Sequence, residues 1–327
     1  LNAQILTKTE LENQKTYTSF DEASKDPQSV YKLEFRGEKN IPVNLKIFNH
    51  LQQLYILGDI PDSVPLDILF PDNLQLLIID SRKMNQIPMS IFKLSNLEYL
   101  SINRCGLTEI SGSLGNLRKL QFLSFSENQI SNVPKEIGHL KSLKRLDLSY
   151  NRISEIPNEL SNLSSLEILY LVSDKLTDLP ENISKLTFLK EFYGDSNRFS
   201  HFPLCLSKLQ NLTVLTLANN SLTDLPPETG NLKNLKTLIL SGNELKTVAP
   251  EIGKILTLEN LILSDNKLQK IPKEIGKLSE LSDLNLYNNQ LESLPAELAN
   301  LKKLKTLGIS GNNISIIPAA LNSVKKY

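Results

Sequence analysis

The sequence predicts an α/β solenoid of about 13 coils: a curved horseshoe with a parallel β-sheet on the concave face and short helical or 3-10 turns on the convex face. Three observations predict it. The pattern L-x-x-L-x-L-x-x-N returns thirteen times and, from the second copy onward, every 23 residues. Clear copies are Leu143-x-x-Leu146-x-Leu148-x-x-Asn151, Leu212-x-x-Leu215-x-Leu217-x-x-Asn220 and Leu258-x-x-Leu261-x-Leu263-x-x-Asn266. Between copies the chain reads L-P-x-x-I-x-x-L, as in Ile156-Pro157-x-x-Leu160-x-x-Leu163 and Ile271-Pro272-x-x-Ile275-x-x-Leu278. A fixed period of this length builds units that bury their apolar side only against their neighbours. One such unit cannot offset its own chain entropy; a stack can.

The amino-terminal 29 residues precede the repeats, which run from 30 to 327. Ser19-Phe20-Asp21-Glu22 has the form of a capping box, so Ser19 to Lys25 reads as an amphipathic capping helix. Phe20 and Ala23 would face the first coil, and Asp26-Pro27 would stop the helix. Residues ahead of it are polar and read as flexible. Leu1-Asn2-Ala3-Gln4 would suit the tail of a secretory signal, an arbitrary boundary being the alternative.

Strand cores follow in order from Leu33/Phe35 and Leu54/Ile56, a step of 21 residues shortened around Glu38 to Pro42, to Leu307/Ile309. Leu residues point into the column and the residues between them point out, by the two-residue alternation of a strand. Between strands, apolar residues at i, i+3 and i+6 after a Pro fit one face of a short helical or 3-10 turn. Asn recurs at the ninth position of the unit at Asn128, Asn151, Asn197, Asn220, Asn243, Asn266, Asn289 and Asn312. Its amide can satisfy backbone groups of adjoining turns, a structural role. Glu38, Asp59, Arg82, Cys105 and Asp174 replace it, mostly at the amino end, which is therefore expected to be less stable or differently shaped. In the eighth coil Gly194 takes a core Leu position while Phe192, Phe199 and Phe202 take three others. Volume compensation is the favoured reading over a functional kink.

Lys plus Arg and Asp plus Glu both total 36, so the chain lacks the basic excess of a nucleic-acid binder. No stretch approaches the length of a membrane span. Cys105 and Cys205 lie four coils apart, too far for a disulfide at about 4.8 Å per parallel strand. Three scattered His residues offer no metal spacing, and no phosphate loop follows a strand. A nucleophilic Cys205 beside His201 is the one enzymatic idea, and it is disfavoured because Cys205 sits in a repeat turn. Asp147 and Glu191 could share a cation, though nothing in the spacing demands it. The expectation is a non-enzymatic protein without cofactor or metal.

The outward positions of coils three to nine carry the candidate partner-binding residues: Leu76, Ile78, Tyr99, Phe122, Arg145, Asp147, Ile168, Tyr170, Tyr193 and Val214. Arg104, Tyr150, Val172 and Asp195 lie just beyond the strands, and Ser101, Ser124, Glu191 and Thr216 complete the exposed set. Tyr and Arg on a preformed surface are what protein interfaces favour. Tyr, Ile and Val also suit strands as such. Yet coils ten to thirteen expose mostly Thr, Ser, Asn, Asp and Gly, with Ile239, Ile262 and Tyr287 the exceptions. Intrinsic preference should not change along equivalent strands.

These repeats resemble the leucine-rich repeat family over roughly Val30 to Val324. Val133-Pro134-Lys135-Glu136-Ile137-Gly138-His139-Leu140 is similar to the 23-residue class found in bacterial secreted repeat proteins and in eukaryotic Ras-suppressor-like scaffolds. The leader Tyr17 to Pro27 followed by Val30-Tyr31-Lys32-Leu33 resembles the amino-terminal cap of leucine-rich repeat proteins from pathogenic spirochaetes, several of them exported. Their usual L-D-L-S-G-Q first strand stands here as Leu33-Glu34-Phe35-Arg36-Gly37-Glu38, and the carboxyl cap from Leu321 to Tyr327 is short. The resemblance implies a secreted or surface-exposed recognition protein whose partner is a protein, a host cell-surface receptor included; charge balance and the absence of a long apolar stretch lead us to expect no nucleic acid and no membrane insertion. A cytoplasmic Ras-suppressor-like scaffold and the recognition part of an effector enzyme are the alternatives. The sheet edge at Leu307 to Ile309 looks uncovered, so the protein is expected as a monomer or a weak end-to-end dimer.

Overall fold

The computed structural model describes residues 5–37, 41–58, 65–82, 84–318, 321 and 325–326. Leu1 to Gln4, Glu38 and Asp59, each singled out above, lie outside the described residues. The chain forms two compact units, one of Leu1–Ile153 with Asn162–Leu166 and one of Ser154–Ser161 with Glu167–Tyr327.

The first unit opens with helix α1 (Lys8–Glu12), strand β1 (Thr16–Tyr17) and helix α2 (Phe20–Ala23). The leader is therefore structured, contrary to the flexible reading. The reciprocal capping box is at Thr7 and Glu10, where the Thr7 amide donates to Glu10 Oε2 at 2.8 Å. Ser19 accepts from the Glu22 amide at 3.4 Å, but the Glu22 carboxylate turns to Lys15 Nζ at 2.6 Å, so this box is only half made. Leu11 and Ala23 are buried, and Phe20 meets the Phe48 ring edge-on with centroids 5.7 Å apart. Strand β1 pairs in parallel with the first repeat strand, Tyr17 opposite Leu33, and so covers that edge.

Strands β2 (Lys32–Arg36), β3 (Gln53–Leu57), β4 (Leu76–Asp80), β5 (Tyr99–Asn103), β6 (Phe122–Ser124) and β7 (Arg145–Asp147) pair in parallel, each with the next. Leu33, Leu54, Leu77, Leu100, Leu123 and Leu146 stand opposite one another along this sheet, all fully buried. The amino end does differ in shape: β2 to β5 span five residues each, while β6 and β7 span three.

The second unit repeats this plan with β8 (Ile168–Tyr170), β9 (Glu191–Tyr193), β10 (Val214–Thr216), a short β11 (Asp224–Leu225), β12 (Thr237–Ile239), a short β13 (Thr247–Val248), β14 (Asn260–Ile262), β15 (Asp283–Asn285), β16 (Thr306–Gly308) and β17 (Lys325–Lys326). Leu169, Phe192, Leu215, Leu238, Leu261, Leu284 and Leu307 share one register. Strands β11 and β13 form a separate two-stranded pair. The edge expected to be bare is occupied, because β17 pairs in parallel with β16, Leu307 opposite Lys326. Ile309, read as core, is only half-buried.

From Met89–Lys93 onward the turns between repeat strands are 3-10 rather than α-helical, five residues each, as at Lys135–His139, Leu204–Lys208 and Lys273–Lys277, while the described residues between β2 and β4 form no such turn. A Pro commonly precedes or opens the turn, and i to i+3 bonds such as Ile137 N–H to Pro134 O at 3.1 Å close it. Such tight turns suit a segment that has only to reverse the chain. The Gly of the I-G pair has a steric cause: a Cβ at Gly253 would stand 2.4 Å from the Glu274 carbonyl oxygen.

The ninth-position Asn residues form the expected ladder. Asn220 Nδ2 donates to Gly194 O in the preceding coil and to Leu217 O in its own, both at 3.1 Å, while its Oδ1 accepts from Phe199 N–H at 3.1 Å. The residue before the Asn adopts left-handed backbone, as at Glu127 (φ 57°), Tyr150 (φ 59°) and Asn288 (φ 50°). For L-residues this costs about 1–2 kcal/mol apiece, which the ladder's buried bonds offset. Cys105 takes the position with its thiol near Asn103 O at 3.1 Å, a weaker donor in the amide's place.

Gly194 confirms volume compensation. A Cβ there would meet the Phe192 ring at 2.7 Å and Leu217 at 2.9 Å, so Phe192 fills the space of the missing side chain.

Two outcomes test this account. Asn220→Ala leaves buried backbone groups on two coils unpaired and should lower the unfolding free energy by about 2–3 kcal/mol in urea titration. Gly194→Leu should destabilise by about 1–3 kcal/mol through overpacking. Adding Phe192→Leu should recover part of that loss, a coupling readable in a double-mutant cycle.

Candidate functional site

In-register parallel strands place equivalent side chains about 4.8 Å apart, so any two flat rings at one outward position must stack. In the first unit one outward row runs Gln53, Leu76, Tyr99, Phe122, Arg145 and the next runs Tyr55, Ile78, Ser101, Ser124, Asp147. Tyr99 and Phe122 stack with centroids 4.0 Å apart and planes 1° from parallel. The Arg145 guanidinium lies over the Phe122 ring at 5.4 Å. Each contact contributes about 0.5–1.5 kcal/mol and holds the rings in a fixed pose before any partner arrives. Leu76 and Ile78 flank them half-buried, and Tyr150, at 55% exposure, stands in the left-handed turn beyond β7.

Burial raises the Tyr99 hydroxyl above its usual value, with Asp147 adding to the effect and Arg145 opposing it. Burial likewise raises Tyr55, helped by Glu34. Tyr55 lies one coil outside the surface that the sequence assigns to coils three to nine. Its signal was available, since it stands directly opposite Ile78 one repeat earlier.

In the second unit the rows run Ile168, Glu191, Val214 and Tyr170, Tyr193, Thr216. Tyr170 and Tyr193 stack with centroids 4.5 Å apart and planes 5° from parallel. The Tyr193 hydroxyl donates to Glu191 Oε2 at 2.8 Å, joining a carboxylate to the aromatic pair. Val172 is half-buried beside them.

Several expected surface residues prove to be braces. Ser101, Ser124 and Thr216, placed in the exposed set, are 6%, 2% and 4% exposed, since a short side chain among rings and branched neighbours lies below the reach of solvent. Asp195 accepts from Thr216 Oγ1 and from the Ala218 amide, both at 2.6 Å, tying its coil to the next. Asn103, at the same repeat position, accepts from Ser124 Oγ at 2.8 Å and the Ser126 amide at 2.9 Å. Arg104 is held by Asp80, Nε donating to Oδ1 at 2.9 Å and to Oδ2 at 3.1 Å. That hydrogen bond with Asp80 raises the guanidinium further above its usual value.

Neither cysteine is bonded, and burial pushes both thiols up to about 12. A thiol protonated at neutral pH is a poor nucleophile, so His201 beside Cys205 does not make a dyad. Asp147 accepts from the Ser149 amide at 3.0 Å and Glu191 from Tyr193, so both carboxylates have protein partners. Among the described residues no group of three or more His, Cys, Asp or Glu could hold a metal ion. No helix among them is long and apolar enough to cross a membrane.

Coils of one strand each, most of them with one 3-10 turn, an asparagine ladder and a preformed aromatic sheet face define a solenoid recognition module. A family model described as a leucine-rich repeat region matches residues 108–218 and 203–326, and a second, the leucine-rich repeat, matches residues 96–117. The chain belongs to the leucine-rich repeat family and is a protein–protein interaction module of that class. Among solved structures it is similar to a leucine-rich repeat protein of Leptospira interrogans, at 30% identity over 96% of this chain and 100% of that one, with a TM-score of 0.70. It is also similar to the plant peptide hormone receptor RGFR1 in complex with RGF2, at 26% identity over 89% of this chain and 52% of that one, TM-score 0.68. An internalin of Listeria monocytogenes shares the fold, with 24% identity over 92% and 87% of the two chains and a TM-score of 0.78. No curated protein matches the chain in sequence.

The brace role of Asp195 carries a pH signature. Burial raises its carboxyl above the usual 3.8, against the lowering by its bonds from Thr216 and Ala218. The folded chain therefore holds this proton more tightly than the unfolded chain, and stability falls as pH rises from 3.8 through the raised value. Asp195→Asn keeps the acceptor and removes the buried charge. Its melting temperature should equal or exceed that of the parent at pH 7, with the difference shrinking below about pH 4, in thermal scans at both values.

Proposed function

We propose that this protein binds a partner protein on the outward sheet faces of its units, and that it is exported by a bacterium to meet that partner outside the cell. A host cell-surface protein is the partner class. One observation carries the binding reading: stacked ring pairs, Tyr99 with Phe122 and Tyr170 with Tyr193, held on rigid strands and half-open to solvent. Rings already fixed by stacking lose little freedom on docking, which is why aromatic anchors dominate interface energies. Leu76, Ile78, Ile168, Val172 and Val214 add apolar area, and Arg145 and Tyr150 add polar reach.

The export reading rests on the leader from Tyr17 to Pro27, which resembles the amino-terminal cap of exported spirochaete repeat proteins, and the bacterial reading on likeness to a leucine-rich repeat protein of Leptospira interrogans. Tyr99, Phe122, Tyr150, Tyr170 and Tyr193 changed singly to Ala should each weaken binding to a captured receptor ectodomain by about 5- to 30-fold in biolayer interferometry. If all five leave binding intact while changes on the 3-10 turns abolish it, the assignment fails. Antibody detection in cell fractions and culture supernatant tests export.

A further inference from the structure

On the flank of the second unit, outside the main sheet, three consecutive coils carry Asp224-Leu225-Pro226, Thr247-Val248-Ala249 and Lys270-Ile271-Pro272 at one repeat position. The residue that closes each triplet is proline in the outer two coils and alanine in the middle one. That exchange has a backbone consequence. Ala249 keeps its N–H and donates it to Leu225 O at 3.1 Å, the bond that continues the pairing of β13 with β11. Pro226 and Pro272 have no N–H to offer, so the pair gains no third strand on either side. A trans peptide sets the Val248 carbonyl opposite the Ala249 amide, so Val248 O points away from β11 and toward the coil of Pro272. Among the described residues it accepts no hydrogen bond, although Val248 is only 6% exposed. A carbonyl so placed favours a donor from outside.

A cleft of about 600 Å³ lies over these coils. Buried Leu225, Val248 and Ile271 form its apolar floor. Half-buried Pro226 and Pro272 wall it, and between them the methyl of Ala249 leaves open the place a third ring would fill. Small-molecule sites have this size and this mixture of apolar walls with a few polar groups. The polar groups here are mostly acceptors: the Asp224 and Glu274 carboxylates and Val248 O, against the Lys270 ammonium. Lys246 and Lys273 stand near the cleft in sequence without lining it, and Glu251 faces Lys254 at 3.9 Å. Proline walls receive a flat ring, the converse of aromatic grooves that receive proline. Three acceptors to one ammonium suit a protonated amine, which has only donors.

We infer that this cleft binds an aromatic amine, its ring over Ala249 between Pro226 and Pro272 and its ammonium meeting Val248 O and a carboxylate of the rim. The site stands apart from the sheet faces and needs neither of them. A free amine and the amino terminus of a peptide share this chemistry.

The test titrates the full chain with phenethylamine and with hydrocinnamate, which has a similar ring and the opposite charge, followed by saturation-transfer NMR. The amine should bind about tenfold or more tighter than the acid. Ala249 has φ −65°, the value proline imposes, so Ala249→Pro suits the coil and places a ring in the cleft. It should weaken amine binding about tenfold, with the melting temperature checking the fold. Asp224→Asn with Glu274→Gln keeps the shape of the cleft and should weaken the amine about tenfold without weakening the acid. No amine binding, equal binding of amine and acid, or an amine affinity that survives either folded variant overturns the inference. The peptide Phe-Gly-Gly-amide separates the two sources: if it matches phenethylamine, the inference stands and the amine is a peptide's amino terminus. The Tyr99, Phe122, Tyr150, Tyr170 and Tyr193 changes read the sheet face, so failure of one reading leaves the other standing.

Discussion

The asparagine amide at the ninth position of eight coils is the interaction on which the rest of the molecule depends. One short side chain donates to carbonyls on its own coil and the one before, and accepts an amide N–H from that preceding coil. Asn128 does this with Ile102 O and Phe125 O at 2.9 Å and with the Cys105 and Leu107 amides at 3.0 and 3.1 Å. Without it, the turn that follows every strand would bury backbone groups with no partner. With it, successive coils are locked at one register, and the left-handed residue before each Asn is tolerated.

Register then decides what the surface can be. Because equivalent positions fall side by side, a substitution at one outward position acts on its two neighbours rather than on solvent alone. Tyr99 beside Phe122, and Tyr170 beside Tyr193, become stacks; Asn103 and Asp195 become clamps on the next coil.

The ends of the stack follow local chemistry that the repeat does not govern. At the amino end two similar sequences compete for the capping role, and Thr7 with Glu10 completes the reciprocal box while Ser19 with Glu22 does not. The difference is made by Lys15, whose ammonium takes the Glu22 carboxylate. At both ends a two-residue strand, β1 or β17, pairs with the outermost repeat strand and leaves less open ladder for another chain to join.

The sequence by itself determined the parallel strands, their register, the buried leucines and the ladder, because a strict 23-residue period leaves only one way to bury the apolar side of each coil. It also located Gly194 and its compensating Phe192, since both stand at positions the repeat had already assigned to the core. Only the tertiary structure decided which outward residues are presented and which are spent. Asp195, Ser124 and Thr216 are outward by alternation and Arg104 stands in the turn just beyond its strand, yet each bonds a residue about one repeat away. Alternation fixes the side of the sheet on which a side chain emerges. What it touches there depends on the neighbouring coil, a contact between residues some 23 positions apart that only folding brings together.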